Sequence, residues 1–209
     1  MNRTFKDWTL RNWITLGLLG ALWGGVELTL GSILHMIFPP LADTFLTGVL
    51  LSSIGVILAL TGKVLLEKRG TIVFISIIAA LLKLLSFGGV KAGPILAILI
   101  QGILMEVCFL PRNRLRPVQF MAAGLAAVSW NLFHRFIMLR LLYGRRVLQV
   151  AAATARSGSD FFGIGEERIL IILGLFLAIR AAVGAAAGLA GRGIGTTLKQ
   201  RFERNENGK

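Results

Sequence analysis

WITLGLLGALWGGVELTLGSILHMIF, residues 13–38, decides how the rest of the chain is read. A helix needs about 20 consecutive apolar residues to cross the hydrocarbon of a bilayer, and about 17 can suffice. The run from Trp13 to Phe38 exceeds that, and Glu27 is its one carboxylate. Arg3, Lys6 and Arg11 precede it in the manner of a secretion signal. A signal core, however, spans only about 7–15 residues and ends at a small-residue cleavage site, which is missing here. The run therefore reads as a retained first span.

Working outward, five further stretches reach the same length: Thr44–Gly62, Thr71–Phe87, Pro94–Leu110, Val118–Leu142 and Ile169–Ala190. They are separated by breakers or charge at Pro39-Pro40, Lys63 to Gly70, Gly88 to Gly93 and Pro111 to Pro117. Unpaired backbone groups are not tolerated in lipid, so runs of this length must be helical. The alternation of a membrane β-barrel is absent. The expected fold is all-α: a polytopic membrane protein with a bundle of about six transmembrane helices. Residues 1–195 form the six-helix transmembrane domain, and residues 196–209 a polar cytoplasmic tail, frayed from Arg201 to Lys209.

Composition agrees. Of 209 residues, 55% are hydrophobic and only 16% charged, against roughly a quarter charged in a soluble domain. The net charge of +13 would point to nucleic acid in a soluble protein. Here the basic residues lie mostly between apolar runs, where they orient helices and meet the headgroups of the lipid bilayer. No nucleic-acid partner is expected. Cys108 is the single cysteine, so neither an intrachain disulfide nor a cysteine zinc cage can form.

Lysines and arginines cluster on alternate connections. Lys63, Lys68 and Arg69 lie in one loop, Arg112, Arg114 and Arg116 in another, and Arg192, Lys199, Arg201, Arg204 and Lys209 near the end. Pro39–Asp43 has none, and the Gly88–Gly93 connection has only Lys91. The positive-inside rule then predicts a multi-pass protein of the cell membrane with both termini in the cytoplasm. Tyr143–Glu167 is the exception: an outer segment with Arg145, Arg146 and Arg156. Its first half reads as helical and Ser157–Asp160 as a turn.

Ionisable groups inside spans are costly, by roughly 2.5–3.5 kcal/mol each on insertion scales, and usually face the bundle interior. Glu27, Lys83, Glu106, Arg135 and Arg180 are in this class, accompanied by Gln101, Asn131, His35 and His134. At 1.5 Å per residue, Glu27, Lys83 and the Asn131–His134–Arg135 group lie roughly 18–26 Å from the basic side, with Gln101 about 10 Å below the other. Glu27, Lys83, Gln101, Asn131, His134 and Arg135 thus share the outer half of the bilayer, and a polar pocket open to the outside would house them. Glu27 needs a cation or a proton, with Lys83 or Arg135 as the available partner. Purely structural ion pairs are the competing reading. Glu106 and Arg180 lie deeper and pair with each other or meet a partner subunit. His35 and His134 read as hydrogen-bonding histidines, and no metal or other cofactor is expected.

On the first span Gly17, Gly20, Gly24, Glu27, Gly31 and His35 fall within a stripe of about 80°. Gly17/Ala21, Gly20/Gly24 and, in the last span, Gly184/Gly188 are small-xxx-small pairs, which let helix backbones approach closely. They serve internal packing or docking to another membrane subunit. No GxxxxGK[ST] phosphate loop is present, so the chain cannot itself drive transport with ATP. Nor do HExxH, GxSxG or a Cys-His-rich site occur, and the chain reads as no enzyme.

Six short spans, cytoplasmic termini, small residues in the first span and polar groups in the outer half together resemble the S components, the substrate-binding membrane subunits of energy-coupling factor transporters. The run Gly20-Ala21-Leu22-Trp23-Gly24-Gly25-Val26-Glu27-Leu28-Thr29-Leu30-Gly31-Ser32 is similar to relatives of that group. The resemblance implies a six-helix subunit that captures a small molecule from outside. It would dock through its first helix onto a transmembrane coupling subunit driven by ATPase subunits. Gly17, Gly20, Ala21 and Gly24 would then dock the partner, and Glu27, Lys83, Gln101, Asn131, His134 and Arg135 would line the ligand site. The sequence lacks a clean Ala-x-x-x-Ala pair and an N-terminal histidine-rich metal signature. The leading expectation is a capture subunit for a small water-soluble nutrient. The alternatives are a membrane scaffold with structural buried charges and an intramembrane enzyme acting on lipid, which would lack the paired acidic motifs that hold Mg²⁺.

Overall fold

The computed structural model describes residues 8–37, 47–85, 92–110, 115–143 and 168–207, with isolated positions between 156 and 165. Within the helices, the side chains of His35 and Arg135 are among those outside the description. Among the described residues all regular structure is helical. The helices are α1 (Leu10–Ile37), α2 (Thr47–Leu66), α3 (Thr71–Lys83), α4 (Ala92–Val107), α5 (Pro117–Tyr143) and α6 (Ile169–Asn207).

Local chemistry sets several of the helix ends. Thr9 caps α1, its hydroxyl accepting the Asn12 N–H at 3.4 Å; such a cap satisfies one of the orphan donors of a first turn. Pro117 opens α5, where its missing N–H costs nothing, and the Gln119 Oε1 accepts the Arg116 N–H at 2.9 Å. At its C-terminal end α2 passes through Glu67 with φ 51. There the Glu67 N–H donates to the Lys63 carbonyl at 2.9 Å, closing the last turn. Gly70, with φ 81, then supplies the left-handed step from which α3 departs.

α2 occupies the centre of the bundle and packs on α1, α3, α5 and α6. Around it the outer helices touch in sequence, α1 on α3, α3 on α4, α4 on α5 and α5 on α6. The core between them is apolar, with Leu16, Trp23, Leu60, Ile75, Met105 and Phe120 all at 0% exposure. The outside is apolar as well. Leu170 is 80% exposed, Val118 70% and Leu85 69%. A soluble monomer rarely shows apolar patches of this extent, so the surroundings must be lipid. The protein is embedded in a membrane.

Three helical segments, Leu10–Gly31, Thr47–Leu66 and Leu170–Asn205, are long and apolar enough to cross a bilayer. Thr71–Lys83 and Gly93–Val107 are apolar but shorter. α5 has the length, but Asn131, His134, Arg135 and Arg140 interrupt its second half.

Two expectations need correction. Lys63, read as a loop cation, lies in the last turn of α2 and is 4% exposed. The expected frayed tail is instead helical to Asn207. Packing explains the difference. Gly191 lies on the backbone of Ile57 and its carbonyl accepts from Thr61 Oγ1 at 3.1 Å. Gly195 abuts Val64, the Lys199 ammonium meets Glu67 at 2.5 Å, and the Arg11 guanidinium stands over the Phe202 ring at 5.7 Å. Most of Tyr143–Glu167, including the expected helix at its start, lies outside the described residues.

Candidate functional site

Four helices bring polar side chains to one level of the bundle. Ser52 of α2 is its hub. The Gln101 amide of α4 donates to Ser52 Oγ at 2.8 Å and to the Ala127 carbonyl of α5 at 3.2 Å. From α5, the Asn131 amide donates to the same Ser52 Oγ and to the Gly48 carbonyl at 2.9 Å. Arg180 of α6 is 6% exposed, and its guanidinium borders Gly48, with both terminal nitrogens 3.9 Å from where a Cβ would stand. Gly48 leaves room for this approach.

Several buried polar atoms at this level have no hydrogen-bond partner among the described residues: Thr47 Oγ1, Trp130 Nε1 and His134 Nδ1. The Trp130 and His134 rings lie 6.0 Å apart between centroids, tilted by 51°. A buried polar group left unsatisfied costs about 1–3 kcal/mol, and native proteins rarely leave such atoms unpaired without water, an ion or a ligand. Trp23 Nε1 and Ser129 Oγ share this condition elsewhere, and the Trp23 indole lies against Gly55.

Glu27 and Lys83 form a separate pair between α1 and α3. The Lys83 ammonium donates to the Glu27 carbonyl at 2.7 Å and stands 3.5 Å from its carboxylate. Of the two partners expected for Glu27, Lys83 is the one observed; the side chain of Arg135 lies outside the description. Leu51 and the Lys83 ammonium both come to Gly31, at 3.4 and 3.6 Å from its Cβ position. The six expected site residues are therefore divided. Gln101 and Asn131 converge, His134 stands further along the α5 face of Asn131, and Glu27 with Lys83 is a second group. Gln101 and Asn131 are joined through Ser52, whereas Glu27 and Lys83 meet directly.

Glu106 does not pair with Arg180. Its carboxylate meets the Lys63 ammonium at 2.5 Å and accepts the N–H groups of Gly70 at 2.9 Å and Ile72 at 3.0 Å. It thus caps the N-terminus of α3, where a negative charge also suits the helix dipole. The Lys63 ammonium donates in addition to the Lys68 carbonyl at 2.9 Å. This junction ties α2, the 67–70 turn, α3 and α4 together at the basic end.

The expected docking residues also separate. A Cβ on Gly20 would stand 2.6 Å from Ile78 Cβ, and one on Gly24 would stand 2.7 Å from Leu82 Cβ. Both glycines thus face α3 inside the molecule and are not available to a partner. Gly17 has no described residue within 4 Å of its Cβ position, and Ala21 is exposed. In α5 and α6, Gly124 and Gly184 touch backbone to backbone, and Gly188 lies on the Phe120 carbonyl. That small-residue pair serves internal packing.

A groove of about 260 Å³ opens at the basic end, lined by Val64, Leu115 and Phe120 and by Glu67, Arg192, Thr196, Lys199, Gln200 and Glu203. The Glu67 carboxylate, hydrogen-bonded to the Lys199 ammonium, raises the pKa of Lys199 above its ordinary value, and Glu203 adds to this.

Ser52, Thr47 and the Glu106–Lys63 pairing escape a reading based on charge within spans, since serine and threonine are common in membrane helices. The four-residue spacing of Gly48 and Ser52 on one face of α2 is the available signal. No protein family, curated protein or solved structure matches the chain.

Proposed function

We propose that this protein is the membrane-embedded substrate-capture subunit of an ATP-driven importer for a small water-soluble nutrient. All six helices cross the plasma membrane, both termini lie in the cytoplasm, and a transmembrane coupling subunit with ATPase subunits supplies the energy. The observation that carries the reading is the polar layer of Ser52, Gln101, Asn131 and Arg180, flanked by buried Thr47, Trp130 and His134 atoms that have no hydrogen-bond partner among the described residues. Building such a layer into lipid is costly unless something polar completes it. The charge bias of the connections directs this layer toward the outside. Gly17 and Ala21, on the open face of α1, are the docking residues that remain available to the coupling subunit.

The test is thermal melting of the purified full chain against a panel of vitamins and their precursors. A ligand present at a hundred times its Kd stabilises by about 2.7 kcal/mol. Asn131→Leu and Thr47→Val should abolish that response while the melting point without ligand stays close to wild type. A panel without any shift, from protein that melts cooperatively, would refute the capture reading.

A second reading, a scaffold or assembly subunit, draws on the Glu27–Lys83 and Lys63–Glu106 pairs, which meet face to face. It expects Glu27→Ala and Lys83→Ala to lower stability equally and no metabolite to raise it.

A further inference from the structure

The hydrogen bonds of the polar layer fix which way its two amides point. Gln101 Nε2 donates to the Ala127 carbonyl at 3.2 Å as well as to Ser52 Oγ at 2.8 Å. Asn131 Nδ2 donates to the Gly48 carbonyl at 2.9 Å as well as to the same Ser52 Oγ. A backbone carbonyl only accepts, so the amide atom that faces it must be the nitrogen. Turning either amide over would set oxygen against oxygen. Gln101 Oε1 and Asn131 Oδ1 are therefore the ends left over, and neither accepts a hydrogen bond among the described residues. Gln101 is 2% exposed, so bulk water does not supply the missing donor.

Two amide nitrogens held on one serine oxygen put their own oxygens within reach of a single small molecule. The other open groups sort by what they can do. An indole N–H only donates, whereas a hydroxyl or a neutral imidazole nitrogen can take either part. Beside the two acceptor oxygens the layer thus offers Trp130 Nε1 as a fixed donor, with Thr47 Oγ1 and His134 Nδ1 able to adapt. The terminal nitrogens of Arg180 and Asn131 Nδ2 come to the same Gly48 Cβ position, at 3.9 and 3.8 Å. The guanidinium therefore borders the nitrogen side of the Asn131 amide.

We propose that the molecule captured at this layer presents an uncharged amide, urea or lactam edge. Its N–H groups donate to Gln101 Oε1 and Asn131 Oδ1, and its carbonyl accepts from Trp130 Nε1. The inference rests on the capture reading and names the substrate class for it. A carboxylate would bring acceptors against two acceptor oxygens. An ammonium gives the indole N–H nothing to donate to and shares its level with the Arg180 guanidinium. A site built to hydrogen-bond an N–H rejects analogues without one far more strongly than an apolar pocket rejects a missing methylene, because its own buried polar atoms are then left unpaired.

The experiment is thermal melting of the purified full chain in detergent, titrated with matched probes. Nicotinamide, uracil and ethyleneurea carry the edge. Their fully N-methylated counterparts keep the shape without the N–H groups, nicotinate replaces the amide by a carboxylate, and pyridylmethylammonium replaces it by a cation. At least one N–H probe should raise the melting point, with its N-methylated or charged counterparts at least about tenfold weaker, the loss of one buried hydrogen-bond pairing. Gln101→Leu should remove the response to the N–H probes. If that variant does not fold, the matched probes on wild type still decide. An equal response to N-methylated probes, a stronger response to nicotinate or to the ammonium, or wild-type binding by folded Gln101→Leu would each overturn the proposal. If vitamins and their precursors shift the melt but no N–H probe does, this inference fails and the capture reading stands. If neither set shifts it, both fall.

Discussion

Lys63 and Glu106 are 4% and 8% exposed and meet at 2.5 Å, so neither charge has water to fall back on. Removing one partner of a buried pair typically costs about 3–5 kcal/mol, because the other charge stays behind uncompensated. Glu106→Ala should fall in that range or above it, since the carboxylate also accepts the Gly70 and Ile72 N–H groups. The double variant Lys63→Met/Glu106→Gln removes both charges yet keeps an acceptor for one N–H. It should recover most of the loss in denaturant unfolding of the detergent-solubilised protein. Equal losses in the single and double variants would show that helix capping alone explains the junction. Trp8, Trp13 and Phe74 form a second cluster at this end, with ring centroids 5.3–5.6 Å apart. The Lys68 ammonium stands 5.3 Å from the Trp8 ring. Such a cation–aromatic group suits the membrane interface. Lys63 is also where the sequence misleads most. A lysine at the end of an apolar run looks like a solvated flank, and only the fold reveals that Glu106, distant in sequence, is packed above it.

At the scale of elements, glycines with the same spacing do opposite work. Gly124 and Gly184 touch through their backbones, and a carbonyl cannot swing aside as a side chain can. Gly184→Ala should therefore destabilise by about 2–3 kcal/mol, within the range for overpacking a tight contact. Gly17, with no described residue within 4 Å of its Cβ position, should gain up to about 1 kcal/mol on Gly17→Ala from helix propensity alone. Melting of both variants checks the opposite signs. If both lose stability, α1 packs on something at Gly17 in the membrane. The helices themselves were legible: apolar length and breakers give α1 to α5 to within a few residues, because lipid leaves the backbone no other choice. The far end of α6 was not. Arg192 to Asn207 is polar and glycine-bearing, and its helicity comes from contacts with α2 and α1, which composition does not encode. Glycine roles were equally hidden, since a stripe on a helix does not say which neighbour it meets. Angle alone put Gly17 beside Gly20 and Gly24, but α3 covers only the latter two.

Over the whole molecule, the number of crossings turns on α3, which is apolar but short. α3 runs from Thr71 to Lys83, a rise of about 20 Å, against roughly 30 Å of hydrocarbon. Thinning of the bilayer and snorkelling of flanking side chains can close such a gap at modest cost. The ends of α3 are equipped for it. Glu106 and Lys63 hold its start at the basic end, and Lys83 turns to Glu27 at its finish. The polar layer on α2, α4, α5 and α6 would draw water toward the same level. If α3 crosses, Arg69 and Leu85, both exposed and at its opposite ends, lie on different sides of the membrane. With Cys108 replaced by serine, Leu85→Cys and Gly163→Cys in intact cells should react with a membrane-impermeant maleimide. Arg69→Cys and Thr197→Cys should react only after the membrane is opened. Labelling of Arg69→Cys and Leu85→Cys from the same side would make α3 a re-entrant segment and reduce the number of crossings. Labelling of Thr197→Cys from outside would invert the protein, turn the polar layer toward the cytoplasm and remove the basis for capture of an external nutrient.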